Sequence, residues 1–195
     1  MAASAAGILA GCGGKTAAEP QPAAPPVAAA PAPSLSWQTW KDPAGRFSVD
    51  LPGEPVEQRS KRPVDYGEAT MERYLVDISG RTYGVTITVY PDRFAQESPT
   101  GQILASARQQ AIRDMDATPT NDRPVTCPSP DAAGAELPGR EVTIESQSMR
   151  MVLHSRWILS GATLFQIMLS GAMESTDAAH FAHMVSSFKL LPTGP

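Results

Sequence analysis

The chain has 195 residues, and 42% of them are hydrophobic, which suffices for one domain with a single core. Its formal net charge of −4 excludes a general nucleic-acid binder, because such proteins carry a basic excess. No run of about 18 apolar residues occurs, which argues against a membrane-spanning helix. The two cysteines, Cys12 and Cys127, are too few for a disulfide scaffold.

Residues 1–14 contain a motif for lipid attachment. Leu9-Ala10-Gly11-Cys12 resembles a bacterial lipobox, in which an aliphatic residue and two small residues precede a cysteine. The resemblance implies that the Cys12 thiol takes up a lipid and that the chain is cleaved before it. Only eleven residues precede Cys12 and none is Lys or Arg, so we interpret Met1 as a start assigned too far downstream. The alternative is an Ala/Gly tail with a chance cysteine.

Residues 15–34 alternate Ala and Pro, a composition that builds no core and favours extended backbone. At about 3 Å per residue, such a linker holds a domain about 50–60 Å from its anchor; the alternative is an inert spacer. We therefore predict a signal peptide with a lipobox over residues 1–14, a disordered linker over 15–34 and one globular domain over 35–192. Lipidation of Cys12 leaves Cys127 as a lone thiol, and a Cys12–Cys127 disulfide is the alternative.

Alternation of apolar and polar residues predicts a domain rich in β-strands. The predicted strands cover residues 37–41, 46–51, 56–62, 69–78, 82–90, 140–145, 149–159 and 163–169. Residues 82–90 have side chains suited to a strand on both faces, so we expect this strand near the centre of a sheet. Residues 116–139 are rich in Pro, Asp, Thr and Gly, which predicts a long loop that a short strand around Val125 interrupts.

Two segments have the period of an α-helix. The apolar stripe of the first, over residues 100–116, consists of Leu104, Ala107, Ala111 and Met115. The stripe of the last helix consists of Phe181, Met184, Val185 and Phe188. Ser175 or Thr176 is the predicted N-cap of that last helix. We expect this C-terminal stripe to complete a core that begins with the alternating residues Phe47, Val49 and Leu51.

Three local segments and the order of the elements carry a family resemblance. The segments are residues 42–53, Leu137-Pro138-Gly139-Arg140-Glu141, and Phe181 with Ser186-Ser187-Phe188. In these, and in a strand-rich middle interrupted by one helix, the chain resembles the PsbP-like domains, which include lipoproteins of the LpqN type. The resemblance implies an α+β fold: an antiparallel sheet of about six to eight strands with helices packed on its faces. It implies no catalytic motif, because most members are assembly factors or lack an assigned activity.

One row of basic side chains is a candidate contact site. Arg150, His154 and Arg156 alternate along one predicted strand and share a face, an arrangement that suits an anion or an acidic partner. We favour the other interpretation, a solvated face of the sheet, on which Glu141 or Glu145 of a neighbouring strand pairs with these groups.

His180 and His183 lie three residues apart on the last helix, a spacing that can hold a metal. We interpret them as part of a solvated helix face, since a zinc site needs three or four ligands and no further ligand cluster accompanies them. The sequence lacks the Gly-x-Ser-x-Gly, His-Glu-x-x-His and Cys-x-x-Cys motifs and a Gly-rich phosphate loop. We predict no catalytic residue, no metal site and no cofactor.

Two functional hypotheses follow. The preferred one is a non-enzymatic lipoprotein domain of the bacterial cell envelope, anchored by its lipid and facing the periplasm or the cell exterior. It would bind an unidentified envelope protein or help to assemble a complex, and it would not bind nucleic acid. The alternative is a carrier of a small or apolar ligand, or a hydrolase, with a pocket between the sheet and residues 116–139. An open cavity lined by Met149, Met151 and Trp157 would favour the carrier, and a filled core there would oppose it.

Overall fold

The computed structural model describes residues 35–174 and 178–192 of the chain. Cys12, the predicted signal peptide and the predicted linker lie outside the described residues, and so do the predicted N-caps Ser175 and Thr176. Within the described ranges, no helix is long and apolar enough to cross a membrane.

The described residues form ten strands and three helices. The strands are β1 (Gln38–Lys41), β2 (Phe47–Leu51), β3 (Val56–Val64), β4 (Gly67–Ile78), β5 (Arg81–Val89), β6 (Thr118–Pro128), β7 (Glu136–Ser146), β8 (Met151–Ser160), β9 (Thr163–Ala172) and β10 (Lys189–Leu190). The helices are α1 (Asp92–Glu97), α2 (Thr100–Met115) and α3 (Ala178–Ser187).

The strands pair into two antiparallel sheets, which confirms the predicted α+β class. The large sheet has seven strands in the order β3-β4-β5-β9-β8-β7-β6. Strand β5 lies inside it between β4 and β9, as its two-sided pattern predicted. The small sheet has the order β1-β2-β10 and was not predicted as a separate layer. Its β10 consists of two residues, too short for alternation to identify.

The small sheet and α3 pack together against one face of the large sheet. Phe47, Val49 and Leu51 of β2 are fully buried there. Phe181, Met184 and Phe188 join the same core from the C-terminal end, and the Phe188 ring stacks on Phe47 at a centroid distance of 5.5 Å. The predicted meeting of the two chain ends in one core is confirmed. We call this face of the large sheet the α3 face.

Helix α2 packs on the opposite face of the large sheet, which we call the α2 face. It contacts β7 and β8, and the predicted stripe Leu104, Ala107, Ala111 and Met115 faces a second core there. Val142, Ile144 and Trp157 of the sheet are buried in that core. The alternating strand positions therefore separate the two cores, one on each face of the sheet.

The prediction of a long loop over residues 116–139 is wrong. Strand β6 has 11 residues and pairs along its length with β7, leaving only residues 129–135 as a connection. Pro119, Pro124 and Pro128 suggested a loop, but β6 lies at the edge of the sheet, where one side of the strand has no partner. Proline is compatible with such an edge because its missing N–H removes no ladder hydrogen bond on the open side.

The turn before β2 is fixed by Asp42. The Arg46 backbone N–H donates to the Asp42 carboxylate at 3.1 Å and Arg46 Nε at 2.6 Å, while Gly45 N–H donates to the Asp42 carbonyl at 2.8 Å. The Arg46 guanidinium also pairs with Glu72 of β4, which ties the turn to the large sheet. Burial alone raises the pKa of the Asp42 carboxyl, but the hydrogen bonds and charge of Arg46 outweigh it, and the net pKa is lowered.

Candidate functional site

Helix α2 is too narrow to cover its face of the large sheet. Seven strands at a spacing of about 4.8 Å span roughly 29 Å, whereas a helix with its side chains is about 10–12 Å wide. Because α2 lies over β7 and β8, towards one edge, the α2 face of β4, β5 and β9 remains open. The result is a groove of about 380 Å³ beside α2.

The strands of the large sheet form the floor of this groove, and because side chains alternate along a strand, every second one lines it. Its lining on the sheet consists of Met71, Arg73 and Leu75 of β4, Thr86 and Thr88 of β5 with the following Tyr90, Leu164, Gln166 and Met168 of β9, Leu153 and Trp157 of β8, and Arg62 of β3. Helix α2 contributes Ala107, Gln110, Ala111, Asp114 and Met115. The lining therefore combines apolar side chains with a few polar groups, as small-molecule sites do.

Two arginines line the groove without an acidic partner. Arg62 donates to Tyr90 Oη at 3.3 Å. Among the described residues, no carboxylate forms an ion pair with Arg62 or Arg73, whereas Arg108 and Arg140, on the other side of α2, both pair with Asp122. Burial raises the pKa of the Tyr90 phenol, and Arg62 offsets this only in part, so Tyr90 is a neutral group at neutral pH.

The groove is not the pocket that the carrier hypothesis predicted between the sheet and residues 116–139. Residues 116–139, its predicted wall, are mostly the β6–β7 hairpin at the edge of the sheet. Met149 is in the turn before β8 and is 49% exposed, and Met151 packs against the α2-side core. Only Trp157 of the three predicted residues lines the groove, where it is 2% exposed.

The structure separates the three residues of the predicted basic row. Strand β8 begins at Met151, so Arg150 lies in the preceding turn, at a left-handed φ of 52°, and pairs with Glu174. His154 and Arg156 share the α3 face of β8. The expected solvated face is wrong for His154, because its ring stacks on Phe181 of α3 at a centroid distance of 5.4 Å.

Arg156 is neutralised by the neighbouring strand. Its Nε donates to Glu141 Oε2 at 2.8 Å, and Arg123 donates to Glu141 Oε1 at 2.6 Å. Burial raises the pKa of Glu141, but the two guanidiniums together lower it below its ordinary value. Burial lowers the pKa of His154, against the raising effect of Glu141 and Glu145, so the neutral imidazole is favoured. The predicted pairing with Glu141 therefore occurs at Arg156 alone of the three residues.

The predicted solvated face of the last helix holds in part for His183, whose side chain is 42% exposed, but Trp37 packs beside both His180 and His183. The Trp37 ring centroid lies 4.4 Å from that of His183 and 5.7 Å from that of His180. His183 Nε2 is 3.1 Å from Asp50 Oδ2, and His180 Nδ1 is 3.1 Å from Tyr83 Oη. No three His, Cys, Asp or Glu side chains of the described chain come together in a way that could hold a metal.

Cys127 carries a free, partly buried thiol on the edge strand β6. Burial raises its pKa, which disfavours the nucleophilic thiolate at neutral pH. The alternative Cys12–Cys127 disulfide stays open, since Cys12 lies outside the described part of the chain.

Sequence reasoning missed Arg62 and Arg73 as site residues. They lie on different strands, and nothing in their local sequence shows that the β3–β4–β5 register brings them to one groove. One signal was present: Arg73 alternates with Met71 and Leu75 on a half-buried strand, where a charged residue requires an explanation.

Comparison with known proteins gives the fold. No protein-family model and no curated protein matches the chain. Among solved structures, the chain is similar to the solution structure of cyanobacterial PsbP (CyanoP) from Synechocystis sp. PCC 6803, with a TM-score of 0.50 and 14% sequence identity. The match covers 84% of this chain and 98% of that chain. At this identity the likeness shows the fold alone. The domain has a PsbP-like fold, as the resemblance of its turn and core residues implied.

Proposed function

We propose that this chain is a non-catalytic binding domain of the bacterial cell envelope, tethered to the membrane through a lipid on Cys12 and facing the periplasm or the cell exterior. The lipobox-like Leu9-Ala10-Gly11-Cys12 and the Ala/Pro-rich residues 15–34 support the tether. A domain held in this way stays near the membrane and can exchange a ligand with it or with a neighbouring protein.

The open groove beside α2 is the observation that carries the binding function. Its volume of about 380 Å³ lies within the usual range for small-molecule sites, roughly 300–1,000 Å³. The groove combines apolar contacts with two arginines that form no ion pair within the described part of the chain. This geometry favours the carrier of a small ligand over the other sequence-based hypotheses.

The chemistry of the groove supports binding without catalysis. Burial raises the pKa of Tyr90, so its phenol stays protonated at neutral pH, which suits recognition rather than proton transfer. The described lining contains no His or Cys to act as a base or a nucleophile. A hydrolase would need such a group beside the hydroxyl of Thr86 or Thr88.

A protein-binding or assembly module is the second candidate, and the edge strand β3 favours it. Eight of its nine residues are exposed, and Val56 is 66% exposed. One side of its backbone is open to an added strand from a partner. Glu57, Arg59 and Lys61 oppose indiscriminate pairing at this edge, so a partner would need complementary charges.

The tether is tested by Cys12→Ala, expressed from the gene's own chromosomal locus. We expect the wild-type protein in the membrane fraction and the variant in the soluble fraction, and we expect globomycin to block processing of the wild type. Cys127→Ala is the matched control and should fractionate like the wild type. Unchanged size and fractionation of the Cys12→Ala protein would contradict lipid anchoring.

A further inference from the structure

The groove beside α2 holds a net positive charge. Arg62 and Arg73 contribute two positive charges and Asp114 of α2 one negative charge, so the lining carries a net charge of +1. Asp114 accepts a hydrogen bond from Gln110 at 2.6 Å and forms no ion pair with the described arginines. An occupant that matches this lining is therefore a monoanion.

The strand register places the charges and the apolar surface at different parts of the groove. Arg62 and Arg73 lie on β3 and β4, near one edge of the sheet. Leu164, Met168 and Trp157 lie on β9 and β8, towards α2. From β4 to β8 the floor crosses three strand spacings, or about 14 Å. The arginines thus lie at one end of the groove, and the side towards α2 is mostly apolar, with Gln110 and Asp114 of α2 as its polar groups.

The polar groups between these ends are small hydroxyls and an amide. In the register, Arg73 is opposite Thr86, and Thr86 is opposite Gln166. Thr86 and Thr88 are each 5% exposed and line the groove. Gln166 donates to Ser155 Oγ at 3.0 Å. The hydroxyls can donate to a carboxylate near Arg73, and the methyl groups of both threonines extend the apolar floor.

We propose that the groove binds a fatty carboxylate, with its head between Arg62 and Arg73 and its single acyl chain crossing β5 and β9 towards Trp157. A carboxylate matches the net charge of +1 and accepts charge-assisted hydrogen bonds from guanidinium groups. A phosphate monoester carries more negative charge than this lining neutralises. The flexible side chains of Met71 and Met168 adapt to chains of somewhat different length. This inference rests on the proposed binding function and names its ligand.

Calorimetry on the full chain carrying Cys12→Ala tests the proposal, because no attached acyl chain can then compete for the groove. The probes are octanoate, decanoate, decanol and decyl phosphate, each below its aggregation concentration. We expect saturable binding of decanoate with one site per chain. Octanoate should bind about fifteenfold more weakly, since it lacks two buried methylene groups. Decanol and decyl phosphate should both bind more weakly than decanoate.

Charge-removing variants locate the head group. Arg73→Gln and Arg62→Gln should each weaken decanoate binding about tenfold or more, and leave decanol binding unchanged. Arg59→Gln is the matched control: Arg59 is on the same strand as Arg62 but pairs with Glu57 and Glu72 on the other face. It should bind decanoate like the parent. If Arg73→Gln fails to fold, the exposed Arg62→Gln decides the question.

Four outcomes would overturn the proposal: no saturable binding of decanoate, decanol binding as tightly as decanoate, decyl phosphate binding more tightly than decanoate, or an equal loss in Arg59→Gln. The proposed lipid anchor and the proposed ligand are tested separately. A chain that binds decanoate but stays soluble in its own cell contradicts only the lipid anchor. A chain that is membrane-bound but does not bind decanoate contradicts only the proposed ligand of the groove.

Discussion

Asp42 shows at the residue scale why the turn before β2 has the sequence it has. Its side chain is fully buried and accepts three hydrogen bonds from Arg46, one from the backbone and two from the guanidinium. No solvent is available to replace them. The segment that most resembles a family signature therefore has an architectural role: its acidic residue closes a turn.

Replacing Asp42 by Asn removes one of the two carboxylates that pair with the Arg46 guanidinium, the other being Glu72. We expect Asp42→Asn to lower the free energy of unfolding by about 2–4 kcal/mol, measured by urea denaturation. Asp77→Asn is the control, because Asp77 is exposed and its acceptor oxygen can be retained. It should change stability by less than about 0.5 kcal/mol. Equal stability of the two variants would contradict the role assigned to Asp42.

The lowered pKa of Asp42 also predicts an acid dependence. A carboxyl whose pKa is lower in the folded than in the unfolded state adds stability above the unfolded pKa, which is about 3.9. That stability is lost as the pH falls through the folded pKa. We expect the urea concentration at the unfolding midpoint to decrease when the pH is lowered below about 4. The decrease should be less steep in Asp42→Asn. Parallel pH profiles for the two proteins would rule out this contribution.

His154 predicts a second pH dependence, in a different range. Its folded pKa is lowered by burial, so the unfolded chain takes up a proton more readily. Stability is therefore complete above the ordinary histidine pKa of about 6.5 and falls as the pH drops below it. We expect the fall in melting temperature between pH 7.5 and pH 5.5 to be smaller in His154→Gln. His183→Gln is the control and should show the same fall in melting temperature as the wild type, because it keeps His154. A fall in His154→Gln as large as in the wild type would contradict a contribution from His154.

At the scale of elements, β7 shows how closely its neighbouring strands approach. A Cβ atom on Gly139 would lie 2.5 Å from the Trp157 carbonyl oxygen and 3.1 Å from Val125 Cγ2, so both flanking strands leave no room for a side chain. This explains the glycine of Leu137-Pro138-Gly139-Arg140-Glu141, which sequence reasoning recognised only as a resemblance.

Two glycine substitutions test this packing with opposite expected signs. Gly139→Ala should lower the free energy of unfolding by about 2–4 kcal/mol, because backbone on a paired strand must shift. Gly101→Ala, in α2 with open space around it, should be neutral or stabilise the protein by up to about 1 kcal/mol. Chemical denaturation of both variants provides the measurement. A Gly139→Ala protein as stable as wild type would show that β7 can move.

At the scale of the whole molecule, the two ends of the described domain meet in one core. Strand β10 and Phe188 come from the C-terminal end, and both contact β2 near the N-terminal end of the domain. Leu191 N–H also donates to the Arg46 carbonyl at 2.9 Å. Unfolding either end should therefore expose the core of the other.

Phe188→Ala tests this closure. We expect a loss of about 3–4 kcal/mol in the free energy of unfolding, in a single transition, because the ring is buried among Phe47 and Phe165. Phe94→Ala on α1 removes a half-buried ring stacked on Tyr90 and should cost clearly less. Fluorescence and circular dichroism should report coincident transitions. Separate transitions in Phe188→Ala would contradict the joint core.

The sequence determined the features that depend on local period. Alternation identified β5 as an internal strand and the apolar positions of β2, and the helical period identified the stripes of α2 and α3. Both periods depend only on which face of a segment is apolar, so they are readable without the fold. Trp157 is the one residue lining the groove that the carrier hypothesis named, and it belongs to such an apolar face.

Tertiary structure decided the rest, because it depends on which segments become neighbours. The prolines of β6 indicated a loop until the sheet order placed that strand at an edge. His180 and His183 lie beside Trp37 because strands distant in sequence pack against α3. Arg62 and Arg73 face one groove because a single helix cannot cover seven strands. The local sequence specifies each face, and only long-range packing decides which faces are covered and which one stays open.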